Sequence, residues 1–556
     1  MTSADLIISN ARIITMDPER PFAEAIAITG NLITRIGRNS EVLELKGPRS
    51  RVHDNRGNTV IPGIIEGHVH LFIGAAELPL INVYGVGGWE AVTKLVSDHR
   101  KANPGLKVLH VVGATHEQFG APISRQMLDS LVADIPFILG CFDHHTAWAN
   151  TKALEAAGIL KGRALPVGNE IVMGADGLAT GELLEPAAFN PVLALTPTGG
   201  RDALGFTTGG DPVPPATAEQ RAIDEAIIAS GVAHANALGI TSMHNMDGNW
   251  YQLELLDSLL QRDALNARVE VPFHFKNFFK LEQVDEAVEF RARYQGDMLH
   301  SGRMKLFIDG VLETLTAQML EDYPGFPGNR GAPLYTPQEF REIVARADSH
   351  GLQVATHAIG DGGVRTTLDA YEYALTKNGR RDSRHRIEHI ELIHPADIPR
   401  LAQLGVVASL QPVAGVGVPG NAHEPILSRV GKNLPYAYAW QTIRNTGAAV
   451  AFSSDWPVAS LDPFQGMQAA MTAVPLRDDC PNQAQSLMDT IHGFTAAGAH
   501  MEFMEQRKGV LKEGYLADVA VLNANMERTP AHAIGEIKPV LTICDGRVVY
   551  EAGSTG

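Results

Sequence analysis

Two histidines stand one residue apart in the stretch "VIPGIIEGHVHLF", which runs from Val60 to Phe72. The apolar residues before them predict a buried strand, and alternate side chains of a strand point to the same face. His68 and His70 can therefore reach one metal ion together. Two histidines with this spacing more often have a structural role than a metal-binding one. A metal site therefore requires further ligands from other strands.

Further residues of ligand type follow other apolar runs. Lys305 lies in "MKLFIDG", His357 in "ATHAIGD", His389 in "RIEHIE" and Asp455 in "FSSDWP". Each stands at the carboxyl end of a predicted strand, and imidazole and carboxylate ligands suit zinc. The sequence thus predicts a shared metal site, with a buried Lys305 paired to Asp309 as the structural alternative for that lysine.

The elements that must position these residues alternate between short apolar runs and helical stretches. The runs are "IIEGHVH", "GITSMHN", "VEVPFHF", "RMKLFIDG", "GLQVATHAIGD", "RHRIEHIEL", "GVVASLQP" and "GAAVAFSSDWPV". Repeated β-α units predict a parallel sheet. Eight of them predict a (β/α)8 TIM-type barrel over residues 61–500, whose chemistry lies at the carboxyl ends of its strands.

Both ends of the chain carry short β-branched runs bounded by Asn, Gly or Asp. They predict a small β-sandwich domain built from residues 1–60 and 501–556. About 170 residues separate the first two barrel strands, and this stretch has strand-like runs of its own. We interpret residues from about 75 to 215 as a large insertion after strand 1, a lid over the barrel mouth.

Composition limits the partners of the protein. The 556 residues include 46 Lys and Arg against 63 Asp and Glu, a net charge of −17. This acidic balance argues against nucleic acid and anionic membranes as partners. No apolar run approaches the ~18 residues of a membrane span, and the N-terminal stretch lacks the pattern of a signal peptide. Three widely spaced cysteines predict neither disulfides nor a cysteine metal site, so we expect a cytoplasmic protein.

The motifs taken together resemble the amidohydrolase superfamily, in its YtcJ-like branch (amidohydrolase family 3), which includes N-substituted formamide deformylase. The stretches that carry the resemblance are "PGIIEGHVH", "DHHTAWANTKAL", "DGLATGELLE", "MKLFIDGVLETLTA", "THAIGDGGV", "RIEHIELIHPADIPRLAQLGVVASLQP", "FSSDWPV" and "GVLKEGYLADVAVL". They cover nearly the whole chain, and their combination is highly specific.

The resemblance implies a metal centre of one or two Zn²⁺ ions, with two favoured. It implies that His68 and His70 bind the more buried metal and that Lys305 is a carboxylated lysine bridging both. His357 and His389 match the ligands of the second metal. Asp455 matches the carboxylate that touches metal and water and handles the proton.

One position departs from the family pattern. The family usually has Asp two residues before the first histidine, where this chain has Glu66. The position is not a metal ligand in the pattern, but a longer carboxylate there affects how the ligands are oriented.

We predict an enzyme, a metal-dependent amidohydrolase that cleaves a C–N amide-type bond by attack of a metal-bound hydroxide. Its expected partner is a small N-acyl or N-formyl amide with a hydrophobic substituent, and Asp455 is its proton-transfer residue. His145, in "DHHTAWAN", is a second catalytic candidate that could bind the carbonyl oxygen or the leaving group, or else pack on Trp148. His144 is interpreted as structural.

Phe72, Trp148 and Trp456 line an apolar pocket or, as is commoner for such aromatic residues, belong to the core.

Three other functions stay open at this point. The first is a mononuclear deaminase of cyclic amidines, but such members show an H-x-x-E motif where this chain has Gly360, and they lack the lysine at position 305. The second is hydrolysis of an ester, carbamate or lactam by the same site. The third is a non-catalytic binding scaffold. The presence of a residue of ligand type at every expected metal-binding position disfavours it. By family analogy we expect a homodimer or a higher homo-oligomer.

Overall fold

The computed structural model of the protein describes residues 3–116, 118–142, 145–165, 169–415, 418 and 424–553. Each of the eight apolar runs contains a strand, as predicted. We number these strands β1 Ile64–Val69, β2 Ile240–Asn245, β3 Arg268–Glu270, β4 Arg303–Phe307, β5 Gln353–Ala358, β6 Arg386–His389, β7 Val407–Leu410 and β8 Val450–Phe452.

The eight strands are parallel and follow the order of the chain. Hydrogen-bonded pairs join β1 to β2, β2 to β3, and each strand from β4 to β8 to the next. Every residue of β1, β2 and β5 is buried. Burial along the whole strand is typical of parallel sheets that are covered on both faces.

The strand ladder is divided into two sheets instead of one continuous ring. The third apolar run breaks after β3 and resumes as the short strand Phe273–His274, which pairs with β4. Pro272 lies at the break, and a proline has no N–H to donate to a ladder. On the other side, a single parallel bridge between Val69 and Trp456 connects the ends of β1 and β8.

Helices follow most of these strands, and their termini carry the expected signals. The helix after β4 begins at Pro337, and Thr336 and Glu339 form a reciprocal capping box at its start. The helices of this part of the chain are Ala218–Ala237, Trp250–Gln261, Val284–Arg293, Pro337–Ser349, Asp361–Asn378, Ile398–Leu404, Glu424–Val430, Trp440–Arg444, Pro463–Thr472, Leu487–Gly493 and Ala496–Met501.

Strands from both ends of the chain share one hydrophobic core. It includes Ile8 and Ile26 from the amino end, and Val519 and Ile543 from the carboxyl end. The four-stranded sheet contains Leu6–Ser9, Ala25–Thr29, Leu32–Gly37 and Arg51–Asp54, and the helix Asn39–Leu43 follows its third strand. The six-stranded sheet contains Arg12–Ile14, Phe22–Ala23, Thr59–Pro62, Val519–Leu522, Pro539–Cys544 and Arg547–Glu551. The domain limits at residues 60 and 501 stay predictions.

The chain divides into two compact units, Met1–His70 with Val232–Gly556, and Leu71–Gly231. The second unit has a six-stranded sheet of its own, formed by Ile81–Asn82, Leu109–Ala114, Phe137–Cys141, Thr146–Ala149, Glu170–Met173 and Ala179–Leu184. Its helices are Leu71–Glu77, Gly88–Ala102, Arg125–Leu131, Thr151–Ala156, Pro186–Leu193 and Leu204–Thr207. The predicted role of this segment as a lid stays a prediction.

Within the described ranges, no helix combines the length and the apolar character that crossing a membrane requires.

Candidate metal centre

His68 and His70 stand at the carboxyl end of β1 and point to the same place. Their ring centroids lie 5.6 Å apart, and both side chains are almost fully buried. Nε2 of each ring lies 3.2 Å from Oδ1 of Asp455, which follows β8. The backbone joins the same strand ends, because Asp455 N donates to His68 O at 2.9 Å. The structure therefore gathers both histidines around one carboxylate oxygen.

Carboxylates hold the other ring nitrogens of these histidines. His68 Nδ1 lies 2.8 Å from Glu388 Oε2, and His70 Nδ1 lies 2.7 Å from Asp247 Oδ1. An ionised carboxylate only accepts hydrogen bonds, so each neutral ring carries its proton on Nδ1 and a lone pair on Nε2. With both rings neutral, two lone pairs face an anionic oxygen, and a bound cation stabilises that arrangement. In the metal-free protein a proton on His70 Nε2 takes the place of the cation, as the raised pKa of His70 indicates. Histidine ligands of metals are oriented in this way by carboxylates.

Electrostatics favour positive charge at the same place. Burial lowers the pKa of His70, but Asp247 and Asp455 outweigh it and raise that pKa to about 9. Burial would raise the pKa of Asp455, but the imidazoles of His68 and His70 hold it well below its usual range. His68, His389 and Asp455 each offer a ligand atom, and these atoms all lie within 4.8 Å of one another. These residues fit a divalent cation.

The two histidines of β5 and β6 stand beside this group. The ring centroid of His389 lies 4.9 Å from that of His68 and 4.5 Å from that of His357. His389 Nδ1 lies 2.9 Å from Gln411 Oε1, which leaves its Nε2 available as a ligand. His357 Nε2 lies 3.2 Å from the Gly310 carbonyl, which leaves its Nδ1 available. Burial is the main cause that lowers the pKa of both rings, so both stay neutral.

Lys305 lies on β4, and its side chain is fully buried. Its ammonium nitrogen has no hydrogen-bond partner among the residues that the structure describes. The alternative pairing with Asp309 is wrong, because the carboxylate of Asp309 accepts the backbone amides of Gln318, Ile359 and Gly360. Burial lowers the pKa of Lys305 to about 8. A buried amine of this kind is costly unless it is modified or paired.

His145 belongs to the second unit, where the structure places it next to Glu185. Its Nδ1 lies 3.2 Å from both carboxylate oxygens of that residue, and its side chain is 41% exposed. The nearby Trp148 is a core residue of the second unit, with 1% of its surface exposed. The catalytic role of His145 stays a prediction, and His144 lies outside the described residues.

Three residues that hold the histidine rings were missed by sequence reasoning: Asp247, Glu388 and Gln411. Asp247 and Glu388 are fully buried carboxylates, a rare condition for acidic residues that are not paired. Glu388 directly precedes His389, and Asp247 follows β2 within two residues. A carboxylate at a predicted strand end was therefore the available signal, but its histidine partner lies 177 or 320 residues away.

The contacts of Glu66 show how the longer carboxylate is accommodated. Its Oε1 accepts the backbone amides of His68 at 3.1 Å and of Ser454 at 2.9 Å. Glu66 thereby joins the end of β1 to the segment after β8, next to the histidines. Burial raises the pKa of Glu66 to about 8.

Histidines and a carboxylate that converge at the carboxyl ends of parallel strands are the arrangement of a metal-dependent hydrolase. The family model described as "Amidohydrolase family" matches residues 51–550. The chain therefore belongs to the amidohydrolase family, as its motifs predicted, and it is a metal-dependent hydrolase.

Curated relatives extend over nearly the whole chain. Protein LONG AFTER FAR-RED 3 of Arabidopsis thaliana is 29% identical over 94% of this chain and 88% of its own length. The protein YtcJ of Bacillus subtilis (strain 168) is 27% identical, over 97% of this chain and 98% of its own. N-substituted formamide deformylase of Arthrobacter pascens is 25% identical over 98% of both chains.

Solved structures support the fold. A metal-dependent hydrolase from Pyrococcus furiosus matches with a TM-score of 0.70 at 23% identity, over 92% of this chain and 98% of that chain. This likeness and the family match imply a TIM-barrel-type α/β fold, which agrees with the eight parallel strands.

Proposed function

We propose that the protein hydrolyses a C–N amide-type bond in a small N-acyl or N-formyl amide that carries a hydrophobic substituent. The observation that carries this proposal is the convergence of His68 and His70 on Asp455, with Nε2 lone pairs fixed by Glu388 and Asp247. The similarity to a protein named N-substituted formamide deformylase supports the choice of an amide.

The residues proposed to hold the metal surround the carboxyl ends of five strands. The ligands of one or two zinc ions, with two favoured, would be His68, His70, Lys305, His357, His389 and Asp455. When bound, zinc lowers the pKa of a water molecule to about 7 and polarises a carbonyl group. Lys305 would take part as a carbamate, since a carboxylated lysine offers anionic oxygens where a bare ammonium offers none.

Asp455 is the proposed proton-transfer residue. Its carboxylate stays ionised, because the imidazoles of His68 and His70 hold its pKa well below the usual range although burial would raise it. It can therefore accept a proton from the attacking water as the new C–O bond forms. It then gives that proton to the departing amine nitrogen as the C–N bond breaks, which is general base and then general acid catalysis by one residue.

His145 is proposed to stabilise the carbonyl oxygen or the leaving group. We expect His145→Ala to lower kcat by about 10²-fold, the usual effect of losing one donor to a developing oxyanion. Zinc content should not change, because His145 is not among the proposed ligands. Glu185→Gln is the matched control: it keeps an acceptor for His145 and should have a smaller effect. Unchanged kcat in His145→Ala would contradict this role.

A specific observation disfavours the deaminase alternative. Those enzymes place a glutamate three residues after the histidine of strand 5, where this chain has Gly360. A Cβ atom at Gly360 would lie only 2.1 Å from the carbonyl oxygen of Gln318, so the backbone here has no room for any larger side chain.

Metal content and a substrate panel test the proposal together. Protein prepared without chelator and with bicarbonate should contain about two zinc ions per chain if the site is binuclear. It should hydrolyse N-formyl and N-acyl amides, and chelation should abolish that activity. About one ion per chain, with activity on cyclic amidines, would favour the deaminase instead. Cleavage of esters, carbamates or lactams alone would correct the bond type. Protein that takes up no zinc would contradict the proposal.

A further inference from the structure

A buried arginine contacts the groups that surround His68. Arg386 is the first residue of β6, and none of its surface is exposed. Its Nη2 donates to Glu388 Oε2 at 3.0 Å, and its Nε lies 2.7 Å from Glu388 Oε1. The same Nη2 lies 2.6 Å from the carbonyl of Gly67 and 3.0 Å from Ser409 Oγ. The guanidinium of Arg386 thus contacts residues of β1, β6 and β7.

These contacts surround His68 from two directions. Arg386 contacts Glu388, which accepts a hydrogen bond from the ring of His68. Arg386 also contacts the carbonyl of Gly67, the residue that precedes His68. The planar guanidinium has donors in fixed directions, so its hydrogen bond from Nη2 orients the Glu388 carboxylate.

The contacts continue away from the metal centre, to a histidine on β2. Arg386 Nη1 lies 3.1 Å from His244 Nδ1. Since arginine only donates, His244 Nδ1 accepts and its Nε2 carries the proton. That Nε2 lies 3.4 Å from Glu502 Oε1, and the same oxygen lies 2.7 Å from Lys508 Nζ. Each of these four side chains is buried.

We propose that Arg386 is a positioning residue for the metal centre, which fixes the proton of His68 on Nδ1 and aims its Nε2 at the metal. The inference rests on the proposed metal site. Hydrogen-bond distances join His244, Arg386, Glu388 and His68, with a donor facing an acceptor at each step, so the contacts of Arg386 determine which ring nitrogen of His68 carries the proton. The ligand is therefore oriented before a metal arrives, and less ordering remains to be done on binding.

Zinc affinity measures this role directly. In Arg386→Lys the positive charge is kept, but the planar guanidinium whose Nη2 contacts Glu388 and Gly67 is lost. We expect zinc to bind about 10- to 100-fold more weakly, the usual effect of losing a group that orients a metal ligand. The affinity is read by competition with a chelator of known strength, with zinc alone as the probe and no substrate present.

Arg268→Lys is the matched control. Arg268 is equally buried, and its Nε and Nη2 contact the two carboxylate oxygens of Asp518 at 2.8 and 3.1 Å. Both substitutions should lower the melting temperature of metal-free protein, but only Arg386→Lys should weaken zinc binding. Equal weakening in both variants would show a general structural effect and overturn the proposal, and so would unchanged affinity in Arg386→Lys.

A second variant keeps the test decisive if Arg386→Lys does not fold. His244→Leu leaves Arg386 in place but removes its acceptor on β2, and we expect zinc affinity to fall by several-fold. Unchanged affinity in His244→Leu would overturn the role of this chain of contacts. If the wild type binds zinc and both variants bind it with the same affinity, only this inference is overturned. If the wild type binds no zinc, the proposed function is overturned as well.

Discussion

Replacing Asp455 with Asn should lower kcat by about 10²- to 10⁴-fold, the range that a positioned proton-transfer group contributes. The side chain keeps its size, but it loses the charge that faces Nε2 of His68 and His70 at 3.2 Å. It also loses the ability to accept a proton from water and return it to the amine. The measurement is kcat on the best amide of the panel, with zinc content determined on the same sample.

Glu66→Gln is the control for this substitution. It makes the same chemical change in another buried carboxylate next to the site. Glu66 Oε1 accepts two backbone amides, which a glutamine oxygen can also do, and burial raises the pKa of Glu66 to about 8. We therefore expect kcat of Glu66→Gln to stay close to that of the wild type. Near wild-type turnover in Asp455→Asn would contradict the proton role, whereas loss of zinc would make Asp455 chiefly a ligand.

Local patterns were sufficient to predict the strands that carry the site. Residues 64–69 are apolar or small except for Glu66 and His68, and a run of this kind followed by ligand residues is a strong signal of a buried parallel strand. The helices Pro337–Ser349 and Asp361–Asn378 likewise follow from amphipathic sequence. Pro272 was the one visible sign that the third strand would break, and its run was predicted as continuous.

The groups that orient the ligands could not be predicted, because they depend on tertiary contacts. Glu388 stands beside His389 in the sequence, yet it contacts the ring of His68, 320 residues away in the chain. Arg386 lies within the run "RHRIEHIEL", where nothing in the sequence indicates that its guanidinium is fully buried. Residue type and position at strand ends indicate a metal ligand, but they do not indicate which carboxylate will orient it.

The backbone at the site also has a feature with no sequence signal. His389, Ile390 and Asp455 have φ values of 76°, 49° and 64°, in the left-handed region that β-branched and most other side chains avoid. Each such residue costs about 1–3 kcal/mol, and such conformations tend to concentrate at functional sites. Here they turn the chain at the ends of β6 and β8, where His389 and Asp455 meet the histidines of β1. These conformations lower the free energy of unfolding at the place where the metal ligands converge.

Replacing Lys305 with Met should reduce zinc from about two ions per chain to about one, since the bridging group of a two-metal site is lost. Methionine fills the buried space of the lysine stem but cannot react with carbon dioxide. The reaction needs the neutral amine, and burial lowers the pKa of Lys305 to about 8, so much of it is neutral in mildly alkaline buffer. The nitrogen forms a bond to the carbon of carbon dioxide and releases one proton.

Labelling with carbon-13 bicarbonate tests the carboxylation of Lys305 without measuring activity. Wild-type protein with zinc should show a carbamate carbon signal that Lys305→Met lacks, and removing bicarbonate before metal is added should lower the zinc content of the wild type alone. Lys432→Met is the control, because that lysine is exposed and pairs with Glu321 on the surface. Two zinc ions in Lys305→Met, or a carbamate signal that persists in it, would contradict a bridging role. The Lys305 nitrogen has no hydrogen-bond partner among the described residues, and it would then be explained as a charge stabilised by Glu388, Asp455 and the ring of Phe307.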